Sequence, residues 1–164
     1  MLANVRSATP GVGFGLANTQ PFVHGRWAFT HNGYLEDFRA SVMRPLRASL
    51  GDAAYGAVGG TSDSEHLFAL FLDALAAGAA PADALVAVRE RCAVLLGGRA
   101  ALLSLAATDG RTLVALRSAI DADAPTLYRR EEGGAVWLAS EPPDTSPGWQ
   151  PVPIDVPLTL ERAP

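Results

Sequence analysis

The 164 residues carry 13 Lys and Arg against 17 Asp and Glu, a net charge of −4, with 49% hydrophobic and 18% charged residues. That is the composition of one ordinary globular domain, neither disordered nor fibrous, and its acidic balance argues against a nucleic-acid surface. The single cysteine, Cys92, excludes an internal disulfide, and the longest apolar run, residues 67–80, is interrupted by Asp73 and too short to span a bilayer.

In chain order, residues 2–9 read as a strand, with Leu2, Val5 and Ala8 apolar, ended by the turn dipeptide Pro10-Gly11. Residues 11–15 are glycine-rich. They lack the G-x-G-x-x-G spacing, an opening helix and the lysine of a phosphate-binding loop, so they read as a connection. It leads through Gln20-Pro21-Phe22 and a turn at Gly25-Arg26 to the run Trp27-Ala28-Phe29-Thr30-His31-Asn32-Gly33. Asn-Gly is the strongest short hairpin signal. A hairpin needs a second strand, however, and Leu35, Phe38, Val42, Met43 and Leu46 follow at helical spacing. The pattern therefore predicts a strand-to-helix corner at Asn32-Gly33. In such a corner a glycine N–H and an amide side chain face outward together, as stabilisation of an oxyanion requires.

The helix predicted over residues 35–50 contains Pro45, which should kink or divide it, and residues 51–60 read as a loop. Thr61-Ser62-Asp63-Ser64-Glu65 opens the next helix as a capping box, with Ser62 as the cap and Glu65 reaching back to the Ser62 N–H. Asp63 in that first turn is accounted for by the helix dipole alone. The helix body, residues 67–72, is apolar nearly all round and should be central. A further helix is predicted from Pro81 to the Gly97-Gly98 stop, with Cys92 on its apolar stripe as a core thiol. Residues 101–107 and 112–118 flank Asp109-Gly110 as a hairpin, and residues 126–130 and 135–140 flank Gly133-Gly134 as another. Beyond Glu141 prolines are dense, so only short or edge strands are expected. His24, His31 and His66 match no metal-ligand spacing, and neither a metal nor another cofactor is expected. No targeting segment stands at the start of the sequence, and with one cysteine a reducing cytoplasmic setting is expected.

Taken together, Val5-Arg6-Ser7-Ala8-Thr9, Gln20-Pro21-Phe22, Trp27 to Gly33 and Thr61-Ser62-Asp63-Ser64-Glu65 occur in the order seen in class II glutamine amidotransferases, and the chain resembles that family over nearly its whole length. Leu138-Ala139-Ser140-Glu141-Pro142 and Trp149-Gln150-Pro151-Val152-Pro153 resemble the end of the domain. The details are most similar to the branch that hydrolyses γ-glutamyl amides in ergothioneine biosynthesis, with the glutathione-degrading γ-glutamyl hydrolases close by. The resemblance implies an α+β fold, the N-terminal-nucleophile αββα sandwich, spanning residues 1–164 as a single domain. It implies a small γ-glutamyl substrate and neither nucleic acid nor membrane as partner. Arg6 would hold the substrate α-carboxylate through its planar guanidinium, and Ser7 and Thr9 would add hydrogen bonds. Asp63 would pair with the α-ammonium, while the Asn32 side chain and the Gly33 N–H would form the oxyanion hole. His31 would be a supporting residue, not the base.

One departure bears on activity. The family's nucleophile is a cysteine at the mature N-terminus, activated by its own α-amine, whereas residue 2 here is Leu2 and Cys92 lies far along the chain. The expectation is an incomplete sandwich lacking its first strands and nucleophile segment, with a γ-glutamyl pocket but no activity alone. The alternatives are a pseudoenzyme or binding module for a γ-glutamyl ligand, and a glutamine- or glutathione-directed amidohydrolase. An unrelated hydrolase using Ser62 or Ser64 with His66 is a third reading, weakened because serines at a helix start are more simply caps.

Overall fold

The structure is a computed structural model, and it describes residues 1–4 and 15–161. Its centre is a five-stranded antiparallel sheet built from Phe22–His24 (β1), Trp27–Leu35 (β2), Ala101–Thr108 (β3), Thr112–Ile120 (β4) and Leu158–Glu161 (β8), in the order β1-β2-β3-β4-β8. A three-stranded sheet, Tyr128–Glu132 (β5), Ala135–Ala139 (β6) and Gln150–Pro151 (β7), has the order β6-β5-β7. The helices are Met43–Ala48 (α1), Asp52–Gly56 (α2), Asp63–Ala76 (α3) and Pro81–Leu96 (α4), with a π-helical turn at Phe38–Val42 ahead of α1. The fold is thus α+β, as the chain pattern predicts.

Strand side chains alternate between the two faces of the large sheet, so each face has its own partner. Trp27, Phe29, His31 and Leu35 on β2, Leu103, Leu105 and Ala107 on β3, and Val114, Leu116 and Ile120 on β4 are buried against the helices. There α3 lies along β2 and α4 along β4. Aromatic rings lock α3 to β2: Trp27 meets Phe71 edge-on at 5.3 Å, and Phe29 stacks on Phe68 at 5.3 Å. On the opposite face Ala106 and Ala115 form a smaller cluster with Leu127, Leu138, Val152 and Leu158. The layers are therefore helices, sheet and second sheet.

The two long helices begin and end where capping chemistry places them. Ser62 Oγ accepts the Glu65 N–H at 3.2 Å to start α3. Pro81 occupies the first turn of α4, and Gly97, with φ of 57°, closes it in the left-handed conformation. No helix among the described residues is long and apolar enough to cross a membrane.

The structure corrects the sequence reading in four places. Asn32-Gly33 is neither a hairpin nor a corner: β2 runs on to Leu35, in register with β3 at Asn32–Ser104, Gly33–Leu103 and Leu35–Ala101. Continuous pairing with a full-length neighbour overrides the local turn preference. The helix expected over residues 35–50 is shortened accordingly to the π turn and α1, with Pro45 in the first turn of α1. Residues 51–60 are not all loop but include α2. Finally, residues 2–4, expected to begin a strand, are irregular, and the remainder of that strand lies outside the described residues.

Candidate functional site

The polar groups of the molecule converge where the outer edge of β2 meets the start of α3. Backbone alternation along β2 decides which groups face that edge. Glu36 N–H bonds to Ala100 on the β3 side, so the even-numbered residues point their peptide groups inward. The odd-numbered residues point theirs outward: His31 N–H donates to Gln20 Oε1 at 2.6 Å, and Leu35 N–H donates to Asp63 Oδ2 at 3.1 Å. Gly33 lies between them with its N–H on the same edge. Strand β1 covers this edge only as far as Phe29.

Gly33 cannot be another residue at this place. Its φ is 145°, and a Cβ there would lie 1.9 Å from the Leu102 carbonyl oxygen and 2.8 Å from His31 Nε2. Asn32, one residue earlier, is exposed and belongs to the sheet face away from the helices.

Beneath Gly33 the imidazole of His31 is fixed at both ends. Its Nε2 lies 3.0 Å from the Leu102 carbonyl, which only accepts, so this nitrogen carries the hydrogen. Burial lowers the His31 pKa, outweighing the nearby Asp63 charge, and keeps the ring neutral. Nδ1 is then an acceptor, and the Ser64 hydroxyl donates to it at 3.0 Å. His31 thereby ties β2, β3 and α3 together.

Asp63 opens α3 with both carboxylate oxygens engaged: Oδ1 accepts from Ser64 N–H at 2.8 Å and Oδ2 from Leu35 N–H. Each oxygen keeps lone-pair capacity for a further donor, and the side chain is partly exposed at the helix N-terminus. The segment leading into it is clamped by the buried Glu65. The carboxylate accepts Gly59 N–H at 2.8 Å and Gly60 N–H at 2.7 and 2.9 Å. The capping box is therefore half formed: Ser62 caps as expected, but Glu65 reaches to Gly59 and Gly60 instead of to the Ser62 N–H. Gly60 must be glycine for this approach, since a Cβ would lie 2.6 Å from Ala17 O and from Asn18 Oδ1.

His66 plays no part in a nucleophile pair with either serine. Its Nδ1–H donates to the Ser62 carbonyl at 2.6 Å, and Nε2 accepts from Arg47 Nε at 2.8 Å. Burial depresses its pKa, which fits the neutral ring this arrangement requires. Ser62 Oγ is occupied as a cap, and Ser64 is buried against His31. The third reading, a hydrolase based on Ser62 or Ser64 with His66, has no support in this geometry.

Of the residues singled out from sequence, Gly33 and Asp63 stand at one junction through the Asp63–Leu35 bond two residues on, Asn32 is exposed on the sheet face away from the helices, and Arg6, Ser7 and Thr9 lie outside the described residues. Cys92 stands apart, wholly buried in α4, and desolvation pushes its thiol up to about 12. Sequence reasoning missed the contributions of Gln20, Ser64 and Glu65 to this junction. The available signal was the polar Gln20 just ahead of a Pro-ended strand.

Comparison with known proteins bears on the family and the fold. A family model described as glutamine amidotransferases class-II matches residues 1–136. The chain is 34% identical over 153 residues to a gamma-glutamyl-hercynylcysteine sulfoxide hydrolase of Mycobacterium tuberculosis, covering 93% of this chain and 55% of that protein. It is 32% identical over 157 residues to the protein of the same name in Mycolicibacterium smegmatis, covering 93% and 56%. The chain thus spans about half the length of the curated relatives it matches. Among solved structures, a glutamine aminotransferase class-II domain protein from Silicibacter pomeroyi superposes with a TM-score of 0.77 at 31% identity, covering 90% of this chain and 68% of that one. A predicted glutamine amidotransferase from Pseudomonas aeruginosa shares the fold, with a TM-score of 0.59 at 18% identity and coverage of 90% and 64%. The chain belongs to the class II glutamine amidotransferase family.

Proposed function

We propose that this chain forms the γ-glutamyl-binding part of a γ-glutamyl amide hydrolase that removes glutamate from a γ-glutamyl thiol or sulfoxide intermediate of ergothioneine biosynthesis. The observation that carries the reading is the outward-facing Gly33 N–H on the edge of β2, bracketed by the Gln20–His31 and Asp63–Leu35 hydrogen bonds. A carbonyl oxygen seated on that edge meets the Gly33 N–H and lies one residue from the Asn32 side chain. Two such preplaced donors stabilise the negative oxygen that forms when a nucleophile adds to the γ-carbonyl carbon. The Asp63 carboxylate takes the α-ammonium of the glutamyl group. Arg6 takes the α-carboxylate, with Ser7 and Thr9 as further hydrogen-bond partners, so that both charges of the amino-acid head group are matched. The similarity to gamma-glutamyl-hercynylcysteine sulfoxide hydrolases favours the ergothioneine intermediate over glutamine or glutathione.

Hydrolysis of this type needs a thiolate, which adds to the γ-carbonyl, expels the amine and leaves a γ-glutamyl thioester for water to resolve. The only cysteine of these residues is Cys92, and a buried thiol with a pKa of about 12 does not supply that thiolate. On this reading the 164 residues hold a γ-glutamyl compound but, with no thiolate among them, do not turn it over by themselves. That makes the binding-module alternative and the enzyme reading agree on the pocket and differ only on whether a nucleophile accompanies it. Calorimetric titration with γ-glutamyl hercynylcysteine sulfoxide, γ-glutamylcysteine and glutamine, with glutamate release followed in parallel, tests the proposal. The sulfoxide is expected to bind most tightly with no glutamate released. Tightest binding of free glutamine would overturn the ergothioneine assignment, and release of glutamate would overturn the assignment of no turnover.

A further inference from the structure

We propose that Gln20 is a positioning residue for the Gly33 N–H, its side-chain amide standing in for a peptide group of β1 and holding the edge of β2 in place two residues before the oxyanion donor. The proposal rests on the γ-glutamyl reading above. In the β1–β2 register Phe22 pairs with Phe29 and Val23 with Ala28, so the residue numbers of each pair add to a constant and residue 20 falls opposite His31. Pro21, which falls opposite Thr30, has no N–H to give to a ladder, and β1 begins only at Phe22. Gln20 continues the pairing with its side chain. Oε1 accepts His31 N–H at 2.6 Å and Thr30 Oγ1 at 2.9 Å, while Nε2 donates to the His31 carbonyl at 3.0 Å. A primary amide offers the same donor and acceptor pair as a peptide bond, and the Gln20 side chain is buried at this contact.

The same register shows why the edge opens next. Residue 18 falls opposite Gly33, but the chain there curls into a 3-10 turn over Leu16–Asn18, with Asn18 N–H on Gly15 O and Asn18 Oδ1 accepting Thr61 N–H. Among the described residues nothing pairs with the Gly33 N–H on that side, while the groups two residues before and after it are held by Gln20 and Asp63. The His31 ring, fixed by Ser64 and Leu102, packs directly beneath the glycine. Gln20 thus fixes the strand that presents the donor without occupying the donor itself.

Amide exchange and ligand titration on the full chain, read by ¹⁵N NMR, test this with Gln20→Met, similar in size and without hydrogen bonds, and Gln20→Glu, which keeps the acceptor. Gln20→Met is expected to speed His31 amide exchange at least about tenfold and to weaken γ-glutamylglycine binding, followed at the Gly33 amide, by about tenfold. The Leu70 and Val88 amides should be unchanged. Gln20→Glu is expected to restore His31 protection. Parent-like His31 exchange or parent-like affinity in Gln20→Met would overturn the assignment. If Gln20→Met does not fold, loss of His31 protection in folded Gln20→Glu overturns it just as well. A parent chain whose Gly33 amide ignores γ-glutamylglycine overturns the functional reading instead, and the His31 exchange data still decide the Gln20 contact.

Discussion

The junction of β2 with α3 and the interior between α3, α4 and the sheet are both closely packed, yet they are held together by different forces. At the junction Gln20, His31, Ser64, Glu65 and His66 are buried polar groups, each satisfied by named partners at 2.6 to 3.4 Å. The interior is apolar: Leu67, Leu70, Phe71, Leu85, Val88, Cys92 and Leu96 pack in one cluster with the apolar face of the sheet. In the first region the loss of one group strands its partners, so geometry is fixed sharply. In the second the effect of a change scales with the volume removed and leaves distant geometry alone. The contrast explains why a thiol in the interior is no substitute for a nucleophile, and why a glycine at the junction tolerates no side chain.

The largest effect that sharpens this contrast is expected for Gly33→Ala. The added methyl meets a backbone carbonyl, so strand and partner must separate. Denaturant unfolding should show a loss of about 3 kcal/mol or more, and thermal unfolding a drop of about 10 °C. A variant as stable as the parent would break the account of the junction. For Cys92→Ala, by comparison, about 1 kcal/mol is expected from the lost sulfur in an apolar site, with γ-glutamyl binding unchanged. In the native parent, Cys92 should resist alkylation until denaturant is added, and rapid labelling would contradict its burial.

A smaller effect is a pH dependence whose sign follows from the two buried histidines. His31 and His66 both have pKa values lowered from 6.5 by desolvation. As pH falls through 6.5 the unfolded chain takes up protons that the folded chain refuses, so the unfolded state is favoured. Stability should therefore decline between pH 7.5 and 5.5, before carboxylates titrate, and the urea midpoint should move down with it. His31→Gln should flatten that slope. A midpoint that rises on acidification would contradict the neutral, hydrogen-bonded rings described here.

Much of the scaffold was legible in the residues, because the signals there are local. Ser62 as a cap, Pro81 and Gly97 at the ends of α4, and the Asp109-Gly110 turn between β3 and β4 need only neighbouring atoms to act. The Asn32-Gly33 reading failed at a long-range term. Pairing with β3, some 70 residues away, keeps the strand extended through a dipeptide whose local preference is to turn. Glu65 was misdirected for a related reason: the N–H groups of Gly59 and Gly60 are brought to it by a fold that the capping-box pattern does not contain. Gln20 was visible as part of a motif, but its role depends on the β1–β2 register and on where β1 begins. Asp63 was placed correctly at a helix start, although its bond to Leu35 again required tertiary structure.

The central claim is that the Gly33 edge and Asp63 form a γ-glutamyl pocket, and titration of the ¹⁵N-labelled chain with γ-glutamylglycine and its isomer α-glutamylglycine tests it most directly. The account predicts saturable shifts at the Gly33 and Leu35 amides and the Asn32 side-chain amide with the γ-isomer alone. It also predicts binding weakened about 100-fold in Asp63→Asn, which keeps an acceptor for Leu35 but loses the charge for the α-ammonium. Equal shifts from both isomers, or an Asp63→Asn variant that binds as the parent does, would contradict it.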